Sequence, residues 1–113
     1  VEHSAQMGVV LGKLLEEQKA KHACVGDVRY IGLFSAVELV KDKATKKPLV
    51  EYNHDTEKIM PKIIGMLKKK GFSTYSHENI IIIAPPLIIT EEELKEAIAI
   101  LDEVLGEVDE MIK

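Results

Sequence analysis

The sequence predicts an α+β domain in which helices pack on a small, mostly antiparallel sheet of about three strands. Three segments repeat apolar residues at helical spacing, and the segments between them show the alternation or short apolar runs typical of strands. The predicted order of elements is α-β-α-β-β-α. With 113 residues, 46% of them hydrophobic and 30% charged, the chain is expected to form a single domain over residues 1–113.

The first helix is predicted from Ser4 to Ala20, with Ser4 as its N-cap, because apolar residues recur there every three or four positions. One long strand is predicted from Asp27 to Lys41, with Ile31 and Val37 on the same face. Apolar groups lie on both faces of this segment, and Gly32 inside it suggests a bulge. The polar run at 41–48 is expected to be a solvated turn.

The second helix is predicted from about Glu57 to Lys70. Pro61 is compatible with it only near the helix start, where the missing N–H costs nothing. Gly71 follows three lysines, a combination that favours a helix C-terminus there.

Two short strands are predicted at 72–75 and 80–84, joined by residues 76–79. Four consecutive isoleucines at 80–83 cannot alternate between core and solvent, so this strand is expected to be covered on both faces. Pro85 and Pro86 should end it. Thr90 and Glu93 form a capping-box pattern, and a final helix is predicted from there to Ile112.

Several classes of function are disfavoured by the residues present. The net charge is −4, and no basic patch with interleaved aromatic residues indicates nucleic-acid binding. No run of 18 apolar residues suggests a membrane span. The pairs His54-Asp55 and His77-Glu78 each offer at most one metal ligand, because adjacent strand residues point to opposite faces. No metal site is therefore predicted.

Cys24 is the only cysteine, which excludes an intrachain disulfide and favours a cytosolic setting. His22, two residues away, is interpreted as a solvated side chain at a helix end rather than as a partner in catalysis. Arg29 is the only guanidinium group, so any bidentate grip on a carboxylate, sulfonate or phosphate would fall to it. The alternative for Arg29 is an ion pair with a neighbouring carboxylate such as that of Asp27.

Three stretches together resemble the C-terminal small domain of class III aminotransferases, which depend on pyridoxal 5′-phosphate (PLP). They are residues 25–34 (VGDVRYIGLF) followed by 37–41 (VELVK), residues 70–72 (KGF), and residues 79–93 (NIIIIAPPLIITEEE). Their order and separation fit the family pattern, and together they cover nearly the whole chain. The form of the first stretch is most similar to members acting on taurine or other ω-amino substrates.

The resemblance implies a transaminase for the parent protein, with PLP as cofactor, a homodimeric assembly and a cytoplasmic location. It also implies that the catalytic lysine and the phosphate-binding turns belong to a large domain of the same polypeptide. This chain alone is therefore expected to bind no cofactor and to be inactive. The alternative is a free-standing α+β binding or regulatory module without catalysis.

One departure from the family pattern concerns substrate binding. Many relatives have an arginine for the substrate α-carboxylate where this chain has Ile82. Tyr75 and His77 stand where some relatives place a mobile arginine at the mouth of the active site. Arg29, Tyr75 and His77 are therefore the candidate substrate-binding residues, and an exposed hairpin tip is the alternative for the last two. No residue of this chain is predicted to be catalytic or cofactor-binding.

Overall fold

In the part of the chain that the structure describes, three α-helices and five β-strands follow one another in the order α-β-β-β-α-β-β-α. The computed structural model describes residues 2–31, 34–45, 47–49, 58–72, 74–84 and 89–112. The predicted α+β class is confirmed, although the sheet has more strands than the three expected. The elements are α1 (Glu2–Lys21), β1 (Val25–Ile31), β2 (Phe34–Asp42), β3 (Lys47–Pro48), α2 (Ile59–Lys69), β4 (Tyr75–His77), β5 (Ile80–Ile83) and α3 (Glu91–Met111).

The segment predicted as one long strand consists of two antiparallel strands, β1 and β2. Ile31 lies opposite Phe34 at the end of their ladder, and Gly32 and Leu33 lie outside the described residues. The prediction was wrong because apolar residues continue on both sides of Gly32, so that no polar break marks the connection. Ile31 and Val37, predicted to share a face, consequently lie on opposite faces of the sheet.

The sheet is antiparallel, with the strand order β1-β2-β5-β4, and the short β3 pairs with β2. The four isoleucines of β5 therefore lie between two neighbouring strands. Ile81 and Ile83 are buried, whereas Ile80 and Ile82 are only half-buried. The prediction that both faces of this strand are covered is thus wrong for one face, at least among the described residues.

One hydrophobic core joins the helices to a single face of the sheet. Burial of each large aliphatic side chain stabilises the fold by roughly 1.5–3 kcal/mol. The buried residues of this core come from α1, α2 and α3 and from the strands, which contribute Val37 and Ile81 among others. The largest fully buried side chains are Leu11, Leu15, Val25, Val37, Leu39, Val40, Ile63, Leu67, Ile81, Leu94, Leu101 and Leu105.

Tyr30 anchors the outer part of β1 to α1. Its ring lies against Gly12, where an added Cβ would come within 2.6 Å of a ring carbon. The Tyr30 hydroxyl donates a hydrogen bond to Glu16 at 3.3 Å. Tyr30 therefore faces the helices, and its neighbours Arg29 and Ile31 face the other way, because side chains alternate along a strand.

The face of the sheet turned away from the helices is called the open face. The strand register assigns it Asp27, Arg29 and Ile31 of β1, Phe34, Ala36 and Glu38 of β2, and Ile80 and Ile82 of β5. None of these eight residues is fully buried. The described helices cover the opposite face only.

The helix ends follow the predicted capping chemistry, except at α1. Gly71, at a φ of 97°, ends α2, and the amides of Gly71 and Phe72 donate to the carbonyls of Lys68 and Leu67. Thr90 and Glu93 form the predicted capping box at the start of α3. Ser4 is not the N-cap of α1, because that helix already begins at Glu2.

The two middle isoleucines of β5 provide a matched test of this one-sided packing. We expect Ile81→Ala to lower the free energy of unfolding by about 2–5 kcal/mol, because it leaves a cavity in the core. Ile82→Ala should cost only about 1 kcal/mol, because its side chain loses less burial. Urea unfolding of both variants measures the difference. Equal losses would mean that the open face is covered as fully as the core face.

Candidate functional site

The three candidate substrate-binding residues lie in the two edge strands of the sheet. Arg29 belongs to β1, whereas Tyr75 and His77 belong to β4. The register aligns Arg29 with Ala36, Ala36 with Ile82, and Ile82 with Tyr75, in one row across the sheet. Three strand spacings of roughly 4.8 Å separate the ends of this row by about 14 Å.

His77 occupies the neighbouring row, in which Asp27 is aligned with Glu38, Glu38 with Ile80, and Ile80 with His77. The side chain of His77 is 77% exposed, and its Nε2 atom lies 3.8 Å from a carboxylate oxygen of Glu78. Glu78 has a positive φ of 55°, which a tight turn between β4 and β5 requires. An exposed histidine at such a turn is free to contact a ligand from outside the domain.

Arg29 is held by carboxylates of its own sheet. Its Nε atom lies 3.6 Å from Asp27, and its Nη2 atom lies 3.5 Å from Glu38. This is the ion-pair alternative considered for Arg29, extended to a second acid. The Arg29 side chain remains 67% exposed, so some of its N–H groups are still available to bind a further acceptor on the open face.

The Asp27 carboxylate is in turn stabilised from several sides. Desolvation alone would raise the pKa of Asp27, but the hydrogen bonds from Lys19 and from the amide of Val28 outweigh it. The nearby charges of Lys19 and Arg29 act in the same direction, and the pKa of Asp27 is lowered. Asp27 therefore stays ionised and keeps its hold on Arg29 at neutral pH.

The structure thus brings Tyr75 and His77 into one strand and places Arg29 at the opposite edge. A substrate of a few heavy atoms cannot contact Arg29 and Tyr75 together, because about 14 Å separate their strands. If the three residues serve one substrate, they do so from different directions. The geometry is better suited to two separate roles, one at each edge of the sheet.

Sequence reasoning missed a partly buried polar cluster, the His22 clamp, formed by His22, Asp102 and Asp109. The Nε2 atom of His22 lies 2.7 Å from Asp102, and its Nδ1 atom lies 2.5 Å from Asp109. His22 is only 5% exposed, so the interpretation of a solvated histidine was wrong. Both ring nitrogens can donate at once only in the protonated imidazolium, which is therefore the form that satisfies both carboxylates.

The His22 clamp joins the end of α1 to the second half of α3. Asp109 also accepts a hydrogen bond from the amide of Cys24 at 2.9 Å, and Lys21 contacts Asp102 at 2.9 Å. The spacing of Asp102 and Asp109, two helical turns apart, places both on one side of α3. This spacing was the only signal in the sequence, and the partner histidine lies 80 residues earlier.

The surroundings of Asp102 and Asp109 favour the ionised form of both carboxyl groups. Burial by itself would raise the pKa of Asp102, but hydrogen bonds from Lys21 and His22 outweigh it and lower the pKa. For Asp109, burial is likewise outweighed by hydrogen bonds from His22 and Cys24, and the pKa is lowered. Burial, and then the contact with Asp109, raise the pKa of the Cys24 thiol, so Cys24 is not a nucleophile.

The lysines of the described part of the chain lie at its surface. A cofactor lysine needs an enclosed setting, and no described lysine is buried. Lys19, the one that is half-buried, is paired with Asp27 at 3.3 Å. Among the described residues no group of His, Cys, Asp or Glu could hold a metal ion, and no helix is long and apolar enough to cross a membrane.

The sequence and the fold of this chain are similar to those of known transaminases. The family model for class-III aminotransferases matches residues 1–105. Taurine:2-oxoglutarate aminotransferase from Bifidobacterium kashiwanohense, solved in complex with PLP and glutamate, is 44% identical, with a TM-score of 0.94 over 99% of this chain and 25% of that protein. The omega transaminase of Pseudomonas jessenii is 29% identical, with a TM-score of 0.85 over 99% of this chain.

Two curated relatives show a similar degree of likeness. Ethanolamine-phosphate phospho-lyase homolog 1 of Caenorhabditis elegans is 37% identical over 93% of this chain and 22% of its own length. Taurine–pyruvate aminotransferase of Bilophila wadsworthia is 34% identical over 97% of this chain and 24% of its own length. The chain belongs to the class-III aminotransferase family, and it spans about a quarter of the length of these relatives.

The lowered pKa values of Asp102 and Asp109 predict a stability loss in acid. Both groups have an ordinary pKa of 3.8, so the unfolded chain takes up protons at a higher pH than the folded chain does. Their stabilising contribution is present above that pH and is lost as the pH falls through the lower, folded-state pKa. We therefore expect Asp102→Asn to reduce the slope of unfolding free energy against pH between about 5 and 3.

Urea unfolding of the unaltered chain and of Asp102→Asn across this pH range measures the two slopes. The variant is expected to be less stable at neutral pH and to lose less on acidification. Parallel curves for the two proteins would contradict an ionised role for Asp102 in the His22 clamp.

Proposed function

We propose that this chain is the C-terminal small domain of a PLP-dependent transaminase that transfers an amino group from an amino acid or ω-amino donor to a 2-oxo acid. The observation that carries the proposal is the likeness of nearly the whole chain to one quarter of a taurine:2-oxoglutarate aminotransferase. The lack of an enclosed lysine among the described residues supports a division of labour. The remaining part of the parent polypeptide would hold the cofactor.

The role proposed for this domain is to shape the substrate side of the site. PLP, when bound by the parent enzyme, supplies the electron sink for the reaction. Tyr75 and His77 would line the mouth of the site and favour an anionic donor, as the family resemblance implies. Ile82 replaces an arginine that would grip an α-carboxylate, so a donor with its anionic group remote from the amine, such as an ω-amino acid, is favoured.

Arg29 would act at the other edge of the sheet. Its pairing with Asp27 and Glu38 leaves it charged and oriented, and its exposure allows one further anionic contact. We propose that the parent enzyme is a cytoplasmic homodimer, as the resemblance and the single cysteine suggest. The free-standing module considered from the sequence is disfavoured, because the relatives that match this chain are about four times longer.

A phospho-lyase is the second candidate function for the parent protein. It is supported by the 37% identity with ethanolamine-phosphate phospho-lyase homolog 1. The two reactions separate in a simple assay of the full-length parent. Turnover of taurine with pyruvate or 2-oxoglutarate supports the transaminase, whereas release of inorganic phosphate from ethanolamine phosphate without amino transfer supports the lyase.

The isolated 113-residue chain is expected neither to bind PLP covalently nor to transaminate, because its described lysines lack an enclosed setting. Incubation with PLP, borohydride reduction and peptide mass mapping test this, with the full-length parent as the positive control. Scattered, substoichiometric labelling of surface lysines is expected for the isolated chain. A single stoichiometrically labelled lysine together with turnover would refute the division of labour.

In the parent enzyme, His77→Gln is expected to raise KM for an acidic amino donor about three- to tenfold and to leave kcat nearly unchanged. Glutamine retains hydrogen bonding and removes the imidazole ring, so only uniform binding of the donor should weaken. Lys95→Gln, which removes a charge on the outer side of α3, is the matched control. Steady-state kinetics decide the matter: an unchanged KM in His77→Gln would remove His77 from the candidate site.

A further inference from the structure

The turn between β4 and β5 has a backbone conformation that its sequence does not favour. His77 and Ile80 are paired in the ladder, so Glu78 and Asn79 alone form the connection. Glu78 has a φ of 55°, and a two-residue hairpin with a positive φ at its first central position favours glycine there. A residue with a side chain is strained in this left-handed region, and such residues persist where the surrounding structure holds them in place.

Asn79 provides that support through two hydrogen bonds to Leu39 of β2. The Nδ2 atom of Asn79 donates to the Leu39 carbonyl at 2.7 Å, and the Leu39 amide donates to the Asn79 carbonyl at 2.9 Å. In an antiparallel ladder two backbone amides usually make such a pair of bonds. Here the Asn79 side chain makes one of them, which fastens the turn to β2 one position beyond the paired Glu38 and Ile80.

The residue to which the turn is fastened is itself held firmly. Leu39 is fully buried in the core, and its carbonyl also accepts a hydrogen bond from the amide of Leu49 at 3.0 Å. A carbonyl oxygen can accept two such bonds, and this one does. The turn is therefore tied to the centre of the domain rather than to another surface segment.

Asn79 and His77 have different surroundings, although they are two residues apart. Asn79 is half-buried, and its amide group is bonded to the backbone of β2. His77 is 77% exposed, and its side chain contacts Glu78 at the surface. A ligand from outside the domain would meet His77, whereas Asn79 is already engaged within the domain.

We propose that Asn79 is a positioning residue for substrate binding, which acts by holding the β4–β5 turn so that His77 keeps its place beside the donor. The inference rests on the proposed function, in which His77 contacts the donor at the mouth of the site. It adds the residue that fixes the location of His77. A group that is already held in place binds more tightly, because less conformational freedom is lost on binding.

The test compares Asn79→Ala, His77→Gln and the double variant of the full-length parent, with taurine as the donor. Asn79→Ala is expected to raise KM for taurine about three- to tenfold, as His77→Gln does, and to leave kcat nearly unchanged. Because Asn79 acts through His77, KM of the double variant should not exceed that of the more affected single variant. Asn79→Asp keeps the shape of the side chain without its donor, so it should behave like Asn79→Ala and replaces that variant if it does not fold.

Ser35→Ala is the matched control. The Ser35 hydroxyl donates to the Ile83 carbonyl at 3.3 Å, so this bond also joins β2 to β5, but at the other end of their ladder. Its loss should leave KM for taurine unchanged. Amide hydrogen exchange is the second measurement: peptides covering residues 75–80 should exchange at least about tenfold faster in Asn79→Ala than in the unaltered parent, and at the unaltered rate in Ser35→Ala.

The outcomes separate this inference from the proposed function. An increased KM in His77→Gln with an unchanged KM in Asn79→Ala would overturn the positioning role and leave the proposed function standing. Additive increases in the double variant would overturn it because Asn79 would then act independently of His77, and an equal increase in Ser35→Ala would do so because any weakening of the sheet would suffice. Unchanged KM in both His77→Gln and Asn79→Ala, or a parent without transaminase activity, would count against the proposed function itself and refute the positioning role with it.

Discussion

The fold depends on a one-sided sheet, in which the three described helices pack against one face and leave the residues of the other partly exposed. Alternation along each strand divides the side chains strictly between these faces. Val37 and Ile81 enter the core, and their neighbours Ala36 and Ile82 remain half-buried. The open face therefore retains partly exposed apolar area, a feature that marks surfaces contacting another protein part.

The same alternation arranges the candidate site. The register joins Arg29 and Tyr75 through a row of four strands, and it assigns His77 to the adjacent row. Arg29 therefore lies in one edge strand of the open face and His77 in the other, with Ala36, Ile80 and Ile82 between them. This arrangement suits a domain that contributes individual side chains to a site shared with another body, because ligand sites form preferentially where domains meet.

The His22 clamp is the main polar interaction in the helical layer. It connects the end of α1 with α3 through the His22 ring, which lies between two carboxylates, close to the junction of α1 with β1. Because His22 is buried and bonded at both ring nitrogens, removing either carboxylate would leave a buried polar nitrogen without its partner, at a cost in stability. The clamp therefore fixes the position of the first helix, from which the sheet begins.

The sequence by itself determined the α+β class, the three helices and the ends of two of them, because periodicity, capping residues and glycine act over a few neighbouring positions. Nearly all of the family resemblance also rested on local motifs. Only the tertiary structure decided that residues 25–31 and 34–42 form two antiparallel strands, that the isoleucine strand is covered on one face, and that His22 contacts Asp102 and Asp109. Each of these depends on which distant residues come together, and partners such as His22 and Asp102, 80 residues apart, leave no local pattern.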